Sequence, residues 1–141
     1  MRGYFLTNMY LSPIQHGIQS AHCLHDMFIK YQEYNEVAYN GSNMQKAYET
    51  LIEWASNHKT MIVLNGGTGD DLREVLKVLT LNSVGYPYDV FNEPSIDNAL
   101  TCVGIILPET FSFELVDIED ARYNSNDQQI ARLISSKYLA R

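Results

Sequence analysis

Four polar residues, Gln15, Gln19, His22 and Asp26, are spaced by four, three and four along one stretch of the chain. At ~100° per residue this spacing puts them in a single line on a helix. An imidazole in such a line accepts or donates a proton near neutral pH. A carboxylate one turn away, here Asp26, sets its tautomer. Gln15 and Gln19 are suited to orienting a ligand carbonyl or hydroxyl. The competing reading is an ordinary solvated helix face, with Gln15 used only for capping.

The helix that carries the line is written in its flanks. Ser12 is an N-cap residue, Pro13 suits the first helical position and Gln15 completes a capping box, so a helix is predicted from about Pro13 to Tyr34. Its expected apolar stripe is Ile14, Ile18, Ala21, His25 and Phe28, which places the polar line at the rim of the core and His25 inside it. His22 and His25 are three apart, a spacing that supports metal binding, but no Cys or carboxylate completes a ligand set, so no metal is expected.

Two other segments invite chemistry. Gly66-Gly67-Thr68-Gly69 lacks the phosphate-loop pattern and its lysine, and Asp70 and Asp71 occupy the positive helix start where a phosphate would sit. A tight turn into a helix is the reading. Glu93-Pro94-Ser95-Ile96-Asp97 puts a carboxylate just before a strand, either as a catalytic or binding group or as part of a turn built on Pro94 and Asp97. No nucleophile elbow or Ser/His/Asp pattern is present.

The elements that must position these groups alternate strand and helix. Residues 3–10 read as an aromatic-rich strand. Ser42 to about Ser56 reads as a second helix with its own capping box, and residues 59–64 as a buried strand. A third helix carries Leu72, Val75, Leu76 and Leu79 on one face. Residues 88–91 form a short strand and residues 100–107 the most strand-like run, ended by Pro108. Phe111 to Val116 alternates like an edge strand, and a last amphipathic helix starts at Ser125 with Ile130, Leu133, Ile134 and Tyr138 on its apolar side. Such alternation implies an α/β fold with a parallel or mixed sheet and helices on its faces.

Bulk properties bound the function. A length of 141 residues fits one domain, and 45% hydrophobic residues suffice for a core. No apolar run approaches the ~20 residues that span a bilayer, and polar residues interrupt the N-terminus too early for a signal peptide. Cys23 and Cys102 suggest buried thiols in a reducing compartment, so a cytoplasmic location is expected. The net charge is −7, with Lys and Arg few and unclustered, which weighs against tight RNA or DNA binding. Tyr31, Tyr34, Tyr39 and Tyr48 cluster near the first two helices, as at an interface with a protein partner.

With these residues in view, Gly17-Ile18-Gln19-Ser20-Ala21-His22-Cys23-Leu24-His25 resembles the glycine-led first helix of type II peptidyl-tRNA hydrolases, and Ala21-His22-Cys23-Leu24-His25 is similar to that family's Ala-Gln-Cys-x-His. Residues 59–64 resemble its second strand, and Val90 to Ser95 with Thr101 to Ile105 resemble its closing loop and threonine-led strand. The resemblance covers roughly residues 4–108 and leaves 109–141 as a C-terminal extension, either a dimer contact or a lid. It implies a four-stranded mixed sheet between two helix layers, with no cofactor. The implied reaction is hydrolysis of the ester joining a peptide to tRNA, and family members often form homodimers. Ile18 stands where the family has a lysine, His22 where it has Gln, and His25 at its histidine. Asp89, Glu93 and Ser95 are nearest to its loop aspartate, and Thr101 matches its threonine. The expected site is therefore His22, Asp26 and Glu93 as catalytic groups, with Gln15, Gln19 and Thr101 binding the substrate. The substrate would be tRNA-linked or peptide-like, with the hydrolysed bond an ester or amide. The alternative is an inactive binding module that keeps the fold.

Overall fold

The computed structural model describes residues 1–117 and 125–140. Its strands are β1 (Arg2–Asn8), β2 (Met61–Gly67), β3 (Tyr88–Glu93) and β4 (Ala99–Leu107), and its helices are α1 (Pro13–Tyr31), α2 (Asn43–Glu53), α3 (Gly69–Asn82) and α4 (Asn126–Ser135). The sheet order is β2-β1-β4-β3. β1 and β2 run parallel, while β4 is antiparallel to both β1 and β3. This is the α/β architecture expected, a four-stranded mixed sheet with a helical layer on each face.

Alternation along the central strands splits the core in two. Phe5, Cys102 and Ile106 face α1 and α2, where Cys23, Met27, Tyr31, Ala47, Leu51 and Trp54 close over them. Tyr4, Leu6, Val103 and Ile105 face the other way, onto Leu72, Val75 and Leu79 of α3 and Ile130, Ala131 and Ile134 of α4. Each fully buried large apolar side chain contributes about 1.5–3 kcal/mol. Gly104 lets α1 approach the sheet: a Cβ there would lie 2.7 Å from the Phe5 ring and 3.1 Å from the Cys23 sulfur. No helix among the described residues is long and apolar enough to cross a membrane.

Several elements differ from expectation. α1 buries His16, Gln19, Ser20, Cys23, Met27 and Tyr31 rather than the Ile14–Ile18–His25 stripe. Ile14 is 72% exposed, and His25 lies in solvent. The cause is the sheet beneath the first turns of α1, which presents the hydroxyls of Thr7 and Thr101. These pair with His16 and Gln19 and so draw polar side chains inward. Ser12 makes no side-chain cap, and α1 gives way to a 3-10 turn at Gln32–Asn35. By contrast Ser42 accepts from Gln45 N, and Thr68 with Asp71 forms a complete capping box, its carboxylate held below the ordinary range by the Thr68 amide.

Phe111–Val116 does not form an edge strand. Phe111 packs into the α3/α4 core and Phe113–Asp117 forms a 3-10 helix, with Phe111 and Phe113 in edge-to-face contact. Tyr138 lies beyond the end of α4 and is exposed. The segment after α4 instead bridges the free edge of β2: Asn65 N donates to Tyr138 O, and Ala140 N to Val63 O. Tyr31 and Tyr34 meet at a tilt and Tyr34 and Tyr39 edge to face, while Tyr34 and Tyr48, both half-buried, pack against the α1/α2 core.

Candidate functional site

The seam between α1 and the end of β3 holds a groove of about 450 Å³. Its polar lining includes Gln15, Gln19, His22, Glu93 and Ser95, with Tyr10, Ile18 and Ile96 at the rim. The structure thus brings together Gln15, Gln19, His22 and Glu93, and ties them to Thr101 beneath.

The tie depends on an irregularity in the sheet. The β3–β4 register pairs Phe91 with Cys102 but Asn92 with Leu100, so Thr101 is an extra residue in β4. Such a bulge re-aims a side chain. Here it turns Thr101 towards α1, beside Cys102. Asp97 and Asn98, both left-handed at φ 54° and 56°, close the hairpin that returns the chain to this point. Asp and Asn tolerate that conformation better than most residues.

Hydrogen-bond chemistry orients the network. The Glu93 carboxylate only accepts, so the Gln19 amide must turn its Nε2 towards it, at 3.1 Å. The second Nε2 hydrogen reaches Gln15 Oε1 at 3.2 Å. Gln19 Oε1 is left to accept from the Thr101 hydroxyl at 2.7 Å. All three polar positions of buried Gln19 are engaged. Gln15 spends its oxygen on Gln19, so its Nε2 is a donor with no partner among the described residues, at the wall of the groove.

Glu93 is held ionised. The Ser95 hydroxyl donates to Oε1 at 2.7 Å and Gln19 donates to Oε2, and with the nearby His22 these hold its carboxyl below the usual range. The His22 ring stacks on Phe91 at 4.7 Å between centroids, tilted by 24°, and remains exposed at its edge. Asp26 makes no hydrogen bond to His22. It is half-buried, and its charge instead acts on Asp89 and Cys23.

Further along the seam, Lys30 Nζ donates to Tyr88 O at 2.8 Å and lies 3.9 Å from the Tyr88 ring centroid. Burial lowers the Lys30 pKa and raises that of Asp89, whose Oδ1 accepts Val90 N. Tyr31, Lys30 and Asp89 thereby occupy the outward backbone groups of edge strand β3.

Sequence reasoning passed over His16. It is buried, its Nδ1 is 2.6 Å from the Thr7 hydroxyl, and it lines a second cavity. The one available signal was its place in the 16–19/20–23–27–31 series, which is the true inward face of α1.

The chain matches no known protein-family model, and no curated protein matches its sequence.

Proposed function

We propose that this protein is a peptidyl-tRNA hydrolase-like enzyme that hydrolyses an ester or amide of a peptidyl- or aminoacyl-type substrate in the α1–β3 groove. The observation that carries the reading is the oriented chain Thr101–Gln19–Gln15/Glu93, which leaves one fixed amide donor and one ionised carboxylate beside an accessible imidazole.

In this reading Gln15 Nε2 donates to the acyl carbonyl oxygen and stabilises the negative charge that develops there. His22 takes a proton from a water molecule as that water attacks the carbonyl carbon. The bond to the leaving oxygen or nitrogen breaks, and the leaving atom receives the proton from His22. Glu93 attracts the imidazolium formed between the two steps, and Thr101 acts through Gln19 as a positioning residue.

The groove lining contains no Lys or Arg among the described residues. The grip is therefore on the acyl group rather than on phosphates. The test is release of the acyl group from an N-acetyl-aminoacyl-tRNA. Release above the buffer rate, abolished in His22→Ala, supports the reading, and release at the buffer rate defeats it.

One observation favours a second reading. Ile18 occupies the lysine position of the resembling family and lies at the groove rim, 38% exposed. An apolar rim over the satisfied Gln19–Thr101 floor also suits a binding module that holds a peptide or protein segment without cleaving it. Saturable binding of the N-acetyl-aminoacyl group without turnover would select this alternative.

A further inference from the structure

A second cavity, of about 830 Å³, shares no lining residue with the α1–β3 groove. It is lined by Met9, His16, Asn65 and the segment Lys137 to Ala140. It lies towards the carboxyl ends of the parallel strands β1 and β2, the location at which open α/β sheets most often receive ligands.

We infer that this cavity is a binding site for a small apolar carboxylate. Asn65 and His16 each present a polar atom to it while an interaction holds the other end of the side chain. Asn65 Oδ1 accepts the Gly67 amide at 2.8 Å, which fixes the side-chain orientation and leaves both Nδ2 hydrogens without a partner among the described residues. His16 is 95% buried, since its exposure is 5%, and its Nδ1 is taken by Thr7. Its Nε2 makes no hydrogen bond among the described residues and is not sealed from solvent, so it opens into the cavity it lines. The Thr7 hydroxyl also lies 3.3 Å from Leu64 O. When Thr7 donates there, it accepts a hydrogen from Nδ1. A neutral ring in this relay turns its Nε2 lone pair to the cavity, so a carboxylate seats there together with the proton that makes Nε2–H. Lys137 adds an ammonium with no ion pair within 4 Å among the described residues.

No acidic side chain lines the cavity. Two side-chain donors, Asn65 Nδ2 and the Lys137 ammonium, beside a ring nitrogen that can take up a proton suit an acid group, and charge-assisted bonds are about twice as strong as neutral ones. Met9, Leu139 and Ala140 supply the apolar wall. The 137–140 part of that wall is held to β2 by two backbone hydrogen bonds, Asn65 N to Tyr138 O and Ala140 N to Val63 O. A ligand seated against it would therefore tighten the 137–140 segment.

The test titrates hexanoate and N-acetyl-leucine into the full chain while the His16 ring, Asn65 side-chain and residue 137–140 amide resonances are followed by NMR. Saturable shifts at these groups are expected, with hexanamide weaker than hexanoate by about tenfold or more. Lys137→Met and His16→Gln should each weaken hexanoate similarly. Lys137→Met leaves the buried Thr7–His16 pair untouched, so it remains informative if His16→Gln unfolds. Tighter binding of hexanoate identifies a free aliphatic acid as the ligand type, and tighter binding of N-acetyl-leucine identifies a peptide carboxyl terminus. Failure of both to shift these resonances, shifts that never saturate, or hexanamide binding as tightly as hexanoate overturns the inference.

Discussion

The Thr101 hydroxyl donates to the side-chain carbonyl of Gln19 at 2.7 Å, joining the bulge of β4 to the buried face of α1. Both residues are almost fully buried, so the bond has no competition from water. Thr101→Val keeps the shape and removes the donor. Gln19 Oε1 is then buried without a partner, which costs about 1–3 kcal/mol. Denaturant unfolding should show this loss. The double variant Thr101→Val/Gln19→Leu should be more stable than the sum of the single effects implies, because it removes both halves of the bond. Strict additivity would show that the bond orients nothing.

The Glu93 carboxyl should titrate below an ordinary glutamate when followed by carbon NMR, because Ser95 and Gln19 donate to its charged form. A depressed carboxyl pKa contributes stability above the unfolded-chain value and loses it as pH falls through the folded value. Glu93 therefore keeps its charge to lower pH than an ordinary glutamate. In Ser95→Ala, which removes the hydroxyl donor, the Glu93 titration should move up. An unchanged titration would show that the Ser95 contact does not hold the charge.

Asp89 behaves in the opposite sense. Desolvation raises its pKa, so the folded state holds the proton more tightly than the unfolded chain. Ionisation then costs stability as pH rises through the raised value. Asp89→Asn keeps an acceptor for Val90 N and carries no charge. Its thermal midpoint should exceed that of wild type at neutral pH, and the difference should shrink in acid. A variant less stable at neutral pH would mean that attraction to Lys30 outweighs burial.

Gly104 measures how closely α1 rests on the sheet. Gly104→Ala places a methyl against Phe5 and Cys23 and should cost about 1–3 kcal/mol in urea unfolding. No loss would mean that α1 lifts easily, and the groove would then lack the rigid floor assigned to it.

The order of strands and helices was legible because hydrophobic runs and caps are local signals. Ser42, Thr68 and Ser125 each cap the helix that they precede. The inward face of α1 was not legible, because Ile14 and Ile18 are the more apolar choice, and only the hydroxyls of Thr7 and Thr101, distant or out of register in sequence, reverse it. The convergence of Gln15, Gln19, His22 and Glu93 could be anticipated from helical spacing and a strand-end carboxylate. The direction of each amide could not, since it follows from which neighbour only accepts. Residues 125–140 read as an appendage, yet Ile130, Ala131 and Ile134 complete the second core and residues 137–140 cover an open strand edge. Pairing between distant segments leaves no local pattern.

The most direct test of the groove as a hydrolytic site compares wild type with His22→Phe on N-acetyl-aminoacyl-tRNA. A phenyl ring at this position can keep the stack on Phe91 and removes only the proton acceptor. Wild-type release above the buffer rate is expected, with a fall of about 10²–10⁴-fold in the variant and the fold intact by circular dichroism. Equal rates for the two proteins would contradict a hydrolytic role for the groove.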